Sequence, residues 1–129
     1  MLHTTRNYME KSLQIAGIGI DVVEIAEVEN ARFKKRFAEY FLTPKEIRQV
    51  PQGSKRIAYL ASRFAIKEAV IKAFPKKLKP SDFIILKKGA RPSISFSSKE
   101  YARHYAVHIS LSHTKHTAAA IAIVIHYGV

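Results

Sequence analysis

The sequence predicts an α+β fold: a small, mostly antiparallel sheet with a long central helix and shorter helices packed on it. Three observations carry that prediction. Ile15, Ile18, Ile20, Val22 and Val23 form a β-branched run interleaved with Gly17 and Gly19, the composition of a strand. Residues 54–74 repeat apolar side chains at three- and four-residue spacing and stop at Pro75, the pattern of a long helix. Two further pairs of short apolar segments follow, each pair joined by a short polar connection of the kind that links antiparallel strands. With 129 residues the chain is read as one domain, 14–129, large enough to bury a core without staples. Residues 1–13 read as a polar leader to which a disordered state is open.

Taken in order, the first strand separates two faces. Ile18, Ile20 and Val22 share one, while Gly17, Gly19 and Asp21 share the other, so the approach to Asp21 is free of bulky side chains. A helix is expected over 25–37, with Ile25, Val28 and Phe33 apolar and Arg32, Lys34, Lys35 and Arg36 as a basic cluster. Thr43-Pro44-Lys45-Glu46 reads as a helix start, with Thr43 as N-cap, Pro44 at the first helical position and Glu46 closing a capping box. That short helix ends near Pro51-Gln52-Gly53. The long helix has a second apolar side, Tyr59, Ile66 and Val70, which makes it central to the domain. After a Lys- and Pro-rich loop at 75–81, strands at 83–86 and 93–96 are joined through a hairpin-like turn. Residues 97–102 add a short helix capped by Ser97 or Ser98, and strands at 106–112 and 117–126 close the chain.

Composition narrows the function classes. The absence of cysteine excludes disulfides and thiolate metal sites and permits a reducing setting. The start is polar and charged and shows no secretory signal, and the longest uncharged run, 116–129, is shorter than the roughly 20 residues of a spanning helix. These features read as a soluble, cytoplasmic protein. Lys and Arg number 22 against 10 Asp and Glu, a net charge of +12 that draws anions: nucleic acid, a phosphate-rich cofactor or an acidic protein.

Glu68 is the side chain that the helix pattern accommodates least. It falls inside the stripe Ile57, Leu60, Ala61, Phe64 and Ile71, where an unpaired ionised carboxylate costs on the order of several kcal/mol. A cation is expected to meet it, either Lys72 one turn on or a bound metal. Asp21 is a second carboxylate, and one or two carboxylates completed by waters and substrate phosphates are the usual ligands of Mg²⁺. A plain internal ion pair is the competing reading. Gly17-Ile18-Gly19-Ile20-Asp21 lacks the third glycine and the helix start of a dinucleotide fingerprint. His104 and His108, and His113 and His116, invite a zinc site, but the first pair falls near or within a strand and no Cys joins either, so no transition-metal site is expected. His113, at a strand end, is suited to reaching a site from the sheet edge.

Four blocks then converge: Gly17-Ile18-Gly19-Ile20-Asp21; Lys35-Arg36-Phe37-Ala38 with Leu42-Thr43-Pro44-Lys45-Glu46; Arg63-Phe64-Ala65-Ile66-Lys67-Glu68-Ala69 with Lys72-Ala73-Phe74; and Ile109-Ser110-Leu111-Ser112-His113-Thr114. In order and spacing they resemble the holo-[acyl-carrier-protein] synthases, the small trimeric branch of the 4′-phosphopantetheinyl transferases. The resemblance implies that fold and a Mg²⁺-dependent transfer of 4′-phosphopantetheine from coenzyme A to a serine of an acidic apo acyl carrier protein, with release of 3′,5′-ADP, in fatty acid biosynthesis. It implies Asp21 and Glu68 as Mg²⁺ ligands, Lys72 beside the leaving phosphate, and Glu68 or a metal-bound water near it as the base. Lys55 or Arg56 would meet the 3′-phosphate, with Arg63, Arg91, Pro92, Ser112 and His113 approaching the nucleotide. Arg32, Lys35 and Arg36 match the carrier-protein docking surface, and a homotrimer with sites at subunit borders is implied.

The chain departs from the family pattern at Glu27, where many members carry Arg, and at Pro75-Lys76-Lys77-Leu78-Lys79-Pro80, which replaces a glycine-rich turn; three lysines there are expected to supply charge near the diphosphate. The rival reading, a basic nucleic-acid-binding module without enzymatic activity, also accounts for the charge but gives Asp21 and Glu68 no task.

Overall fold

The β-branched run and its glycines form the edge strand on which the long helix is laid. The computed structural model of the chain describes residues 13–30, 34–89 and 91–128. Strand β1 (Leu13–Glu24) pairs antiparallel with β5 (Thr117–Tyr127), which pairs antiparallel with β4 (Tyr105–His113), giving a three-stranded sheet ordered β1-β5-β4. Strands β2 (Phe83–Lys88) and β3 (Arg91–Phe96) form a separate antiparallel pair. The helices are α1 (Ile25–Glu29), α2 (Lys34–Phe41), α3 (Pro44–Ile47), α4 (Arg56–Ala73) and α5 (Lys99–His104). A 3₁₀ turn, Gly53–Lys55, leads into α4.

Helix α4 lies across β1 and β5, and small residues decide how closely. A Cβ built on Gly17 would stand 1.8 Å from the Ala73 carbonyl oxygen, and one on Gly19 would stand 2.0 Å from that of Ala69. No other residue fits at either position, because any side chain would overlap the helix backbone. Ala118, Ala120 and Ala122 of β5 continue this seam and are buried with Ala61, Ala65, Ala69 and Ala73 of α4. Larger side chains fill the two ends: Phe37, Phe41 and Phe64 meet with ring centroids about 5 Å apart, and Phe74 packs among Phe96, Tyr101 and Tyr105.

Several expectations require revision. Of the helix expected over 25–37, α1 closes at Glu29 with Asn30 as its C-cap and α2 occupies Lys34–Phe41, while 31–33 lie outside the described residues. The Thr43–Glu46 capping box is present, with Thr43 N–H donating to Glu46 Oε1 at 2.9 Å and Glu46 N–H to Thr43 Oγ1 at 3.3 Å. The stripe that includes Glu68 is only partly enclosed: Leu60 and Ala61 are buried but Ile57, Phe64, Glu68 and Ile71 are half-buried, while the side that carries Ala65, Ala69, Ala73, Ile66 and Val70 is enclosed throughout. Close helix–sheet approach selects small residues, so the face packed most tightly is not the one with the largest side chains. The glycine face of β1 is likewise filled by helix backbone and is not an open approach. Loop 75–80 turns towards α5, with the Lys76 ammonium 5.7 Å from the Tyr101 ring centroid and Leu78 buried.

Candidate functional site

The seam between β1 and α4 brings Asp21 of the strand to Lys72 of the helix. Lys72 Nζ donates to Asp21 Oδ1 at 2.9 Å and to the Ile20 carbonyl at 3.1 Å. The Lys72 side chain is 53% exposed and that of Asp21 15%. Glu68, one turn before Lys72, shares the same neighbourhood. Burial, first, and then the negative charge of Asp21 push the Glu68 carboxyl above its ordinary range, while Lys72 pulls in the opposite direction. Two carboxylates therefore share one lysine, and that lysine hydrogen-bonds Asp21. An all-oxygen donor pair with surplus negative charge suits a hard divalent cation such as Mg²⁺, the remaining ligands coming from water or phosphate. Among the described residues no group of three or more His, Cys, Asp or Glu is placed to hold a metal by itself.

A cleft of about 530 Å³ opens beside the N-terminal half of α4. It gathers Lys55, Arg63, Pro92 and His113, four of the residues expected at the nucleotide. Asp21, Glu68 and Lys72 do not line it, so the carboxylate centre and the cleft are successive stations along one helix. The sequence had not marked Ser54, Tyr59, Ser62, Lys87 or Leu111 as site residues, yet they line the same cleft. The Arg63 guanidinium carbon sits 4.5 Å from the Tyr59 ring centroid, a contact that the four-residue spacing on a helix would have indicated. His113 ends β4 and also borders a second cleft, with Glu29, Gly53 and Lys115.

The other expected residues lie apart. Arg91 shares a groove with Pro92, Ile109, Ser110 and Leu111. Arg56 opens α4 but does not line the main cleft. Ser112 is exposed and, by strand alternation, faces away from His113, on the outer side of the sheet where Ile18, Ile20 and Val22 are 61%, 61% and 59% exposed. Arg36 is exposed on α2, while Arg32 and the side chain of Lys35 lie outside the described residues.

The fully buried cation of α4 is Lys67. Its ammonium donates to the Pro80 carbonyl at 2.7 Å and the Phe83 carbonyl at 2.5 Å, and pairs with Glu46 Oε1 at 2.9 Å. Glu46 Oε2 accepts from Ile85 N–H at 2.9 Å, so this carboxylate joins the α3 cap, the long helix and strand β2.

The sequence profile of the 4′-phosphopantetheinyl transferase superfamily matches residues 17–124. A holo-[acyl-carrier-protein] synthase of Listeria welshimeri is 39% identical over 118 residues, covering 85% of this chain and 98% of that protein. The crystal structure of the synthase of Bacillus anthracis in complex with CoA (3′,5′-ADP) superposes with a TM-score of 0.74 at 29% identity, covering 87% of this chain and 97% of the other. That of Helicobacter pylori in complex with coenzyme A gives a TM-score of 0.70 at 34% identity, covering 83% and 98%.

Proposed function

This chain belongs to the 4′-phosphopantetheinyl transferase superfamily, and from that premise we propose how its own residues carry the reaction. The enzyme transfers 4′-phosphopantetheine from coenzyme A to a serine of apo acyl carrier protein. The serine oxygen forms a bond to the β-phosphorus, the bond from that phosphorus to the bridging oxygen breaks, and 3′,5′-ADP leaves with the bonding pair. The observation that supports the residue roles is the carboxylate pair Asp21 and Glu68 with Lys72 beside it. Glu68, or a water held near it, would take the serine proton; in the metal-free chain burial and Asp21 hold the Glu68 carboxyl above its ordinary pKa. Lys72, half-exposed beside Asp21, would neutralise the charge that develops on the leaving phosphate. Asp21 and Glu68 would hold Mg²⁺, which supplies charge stabilisation at the diphosphate oxygens when bound.

The cleft lined by Lys55, Arg63, Pro92 and His113 takes the nucleotide end, and Arg91, in a groove that shares Pro92 and Leu111 with it, adds positive charge nearby. The basic cluster Arg32, Lys35 and Arg36 receives the acidic carrier protein, in keeping with the net charge of +12. The outer sheet face, with its row of exposed Ile18, Ile20 and Val22, is too apolar for a solvated surface and supports a homotrimer built on it. Ser112 then lies at a subunit border. The expected setting is the cytoplasm, in lipid metabolism.

Incubation with coenzyme A, Mg²⁺ and an apo carrier protein is expected to add one phosphopantetheine to the carrier's intact mass. No mass gain overturns the reaction; a gain that persists in EDTA overturns the metal assignment. A single-chain mass in sedimentation at assay concentration overturns the trimer.

A further inference from the structure

Two side chains of the cleft are already fastened to each other. Tyr59 and Arg63 project from one face of α4, and the guanidinium carbon lies 4.5 Å from the centre of the tyrosine ring. Both are half-buried and both line the cleft. A guanidinium on an aromatic face is attracted by the ring quadrupole and keeps its fork of N–H donors pointing out of the stack. The lysines of the cleft differ: Lys55 and Lys87 are exposed on long flexible stems. An unrestrained arginine loses rotamer freedom when a ligand orders it, whereas one held by a ring has lost that freedom on folding.

We propose that Tyr59 is a positioning residue for the nucleotide, holding the Arg63 guanidinium in its binding geometry before coenzyme A arrives. The proposal rests on the coenzyme A reading of the cleft and adds to it the side chain that fixes how tightly the substrate is held. Tyr59 lies towards the opposite end of α4 from Lys72, so its effect falls on binding and not on phosphoryl transfer.

The test compares wild type with Tyr59→Leu, Tyr59→Phe, Arg63→Ala and the double variant Tyr59→Leu/Arg63→Ala in steady-state kinetics. Tyr59→Leu is expected to raise KM for coenzyme A roughly three- to tenfold, with kcat changed by less than about twofold, the scale of a cation–π contact at a partly exposed site. Tyr59→Phe keeps the ring and is expected within about twofold of wild type in KM, and the double variant is expected to be no weaker than Arg63→Ala alone. An unchanged KM in Tyr59→Leu, a phenylalanine that fails to rescue, or additive effects in the double variant overturns the proposal. Should Tyr59→Leu not fold, Tyr59→Met is judged by the same criteria. Calorimetric titration of wild type with coenzyme A separates the two levels: no binding overturns the reading of the cleft, while binding that Tyr59 substitutions leave unmoved overturns the role of Tyr59 alone.

Discussion

Lys67 and Glu68 are neighbours in sequence, stand about 100° apart around the same helix, and belong to opposite kinds of charge site. The Lys67 ammonium is enclosed and has one acceptor for each of its three protons, Glu46, Pro80 and Phe83, with the Phe83 ring centroid a further 4.3 Å away. Burial lowers its pKa, and the Glu46 carboxylate counters that pull. On the other side, Asp21 and Glu68 divide one lysine between them, and that lysine is half in water. A charge whose partners are all supplied by the fold has no capacity left for a ligand. An incompletely compensated pair of acids retains that capacity, which supports the second cluster, and not the more deeply buried first one, as the proposed chemical centre.

The contrast can be broken most decisively at Glu68. Glu68→Gln is expected to reduce turnover by roughly 10²- to 10⁴-fold, the range of a lost general base, while the unfolding midpoint stays level or rises because a carboxylate repelled by Asp21 has gone. A variant that keeps its turnover, or loses stability in step with it, would erase the distinction. Lys67→Met should do the reverse. Leaving Glu46 buried without its cation is expected to remove about 3–5 kcal/mol in urea unfolding, and adding Glu46→Gln should return part of it. A loss below about 1 kcal/mol would mean that the pair is no better than a surface bridge.

The smallest expected effect is in pH dependence and sharpens the comparison. In the metal-free chain, Glu68 holds its proton to higher pH when folded than when unfolded. Its contribution is therefore full below the ordinary value of 4.5 and is lost as the pH rises through the raised folded value. Lys67, lowered from 10.5, has the opposite sign: stability rises with pH between its lowered folded value and 10.5. Thermal unfolding in EDTA should show wild type losing ground to Glu68→Gln as the pH increases above 4.5. Parallel curves would show that Asp21 and burial leave Glu68 untouched.

Features set by local chemistry were readable in the sequence. The Thr43–Glu46 cap needs only a four-residue motif, β1 its β-branched run, and α4 its period and Pro75. Asp21 and Glu68 could be paired because one lies on a glycine-lined strand and the other interrupts a helical stripe. What stayed hidden depends on distant partners. Nothing near Lys67 in sequence announces acceptors 13 and 16 residues later, so Glu68 alone stood out as the anomalous charge. The tightest face of α4 escaped for a related reason: Ala61, Ala65 and Ala69 look unremarkable until Gly17 and Gly19 are set against them. Cleft residues such as Tyr59 and Ser62 are ordinary helix residues until β2, β3 and β4 wall them in.

The carboxylate of Glu46 accepts from the amides of Thr43 and Ile85 and from the Lys67 ammonium, tying together segments far apart along the chain. Those amide hydrogens share a single acceptor group, so neither is independently sheltered from solvent. In deuterium exchange the amides of Thr43, at the start of α3, and of Ile85, in the first half of β2, should open as one unit, with one free energy between them. The chain thus carries, in a residue outside the proposed reacting groups, a joint that makes separate local loosening of these segments unavailable.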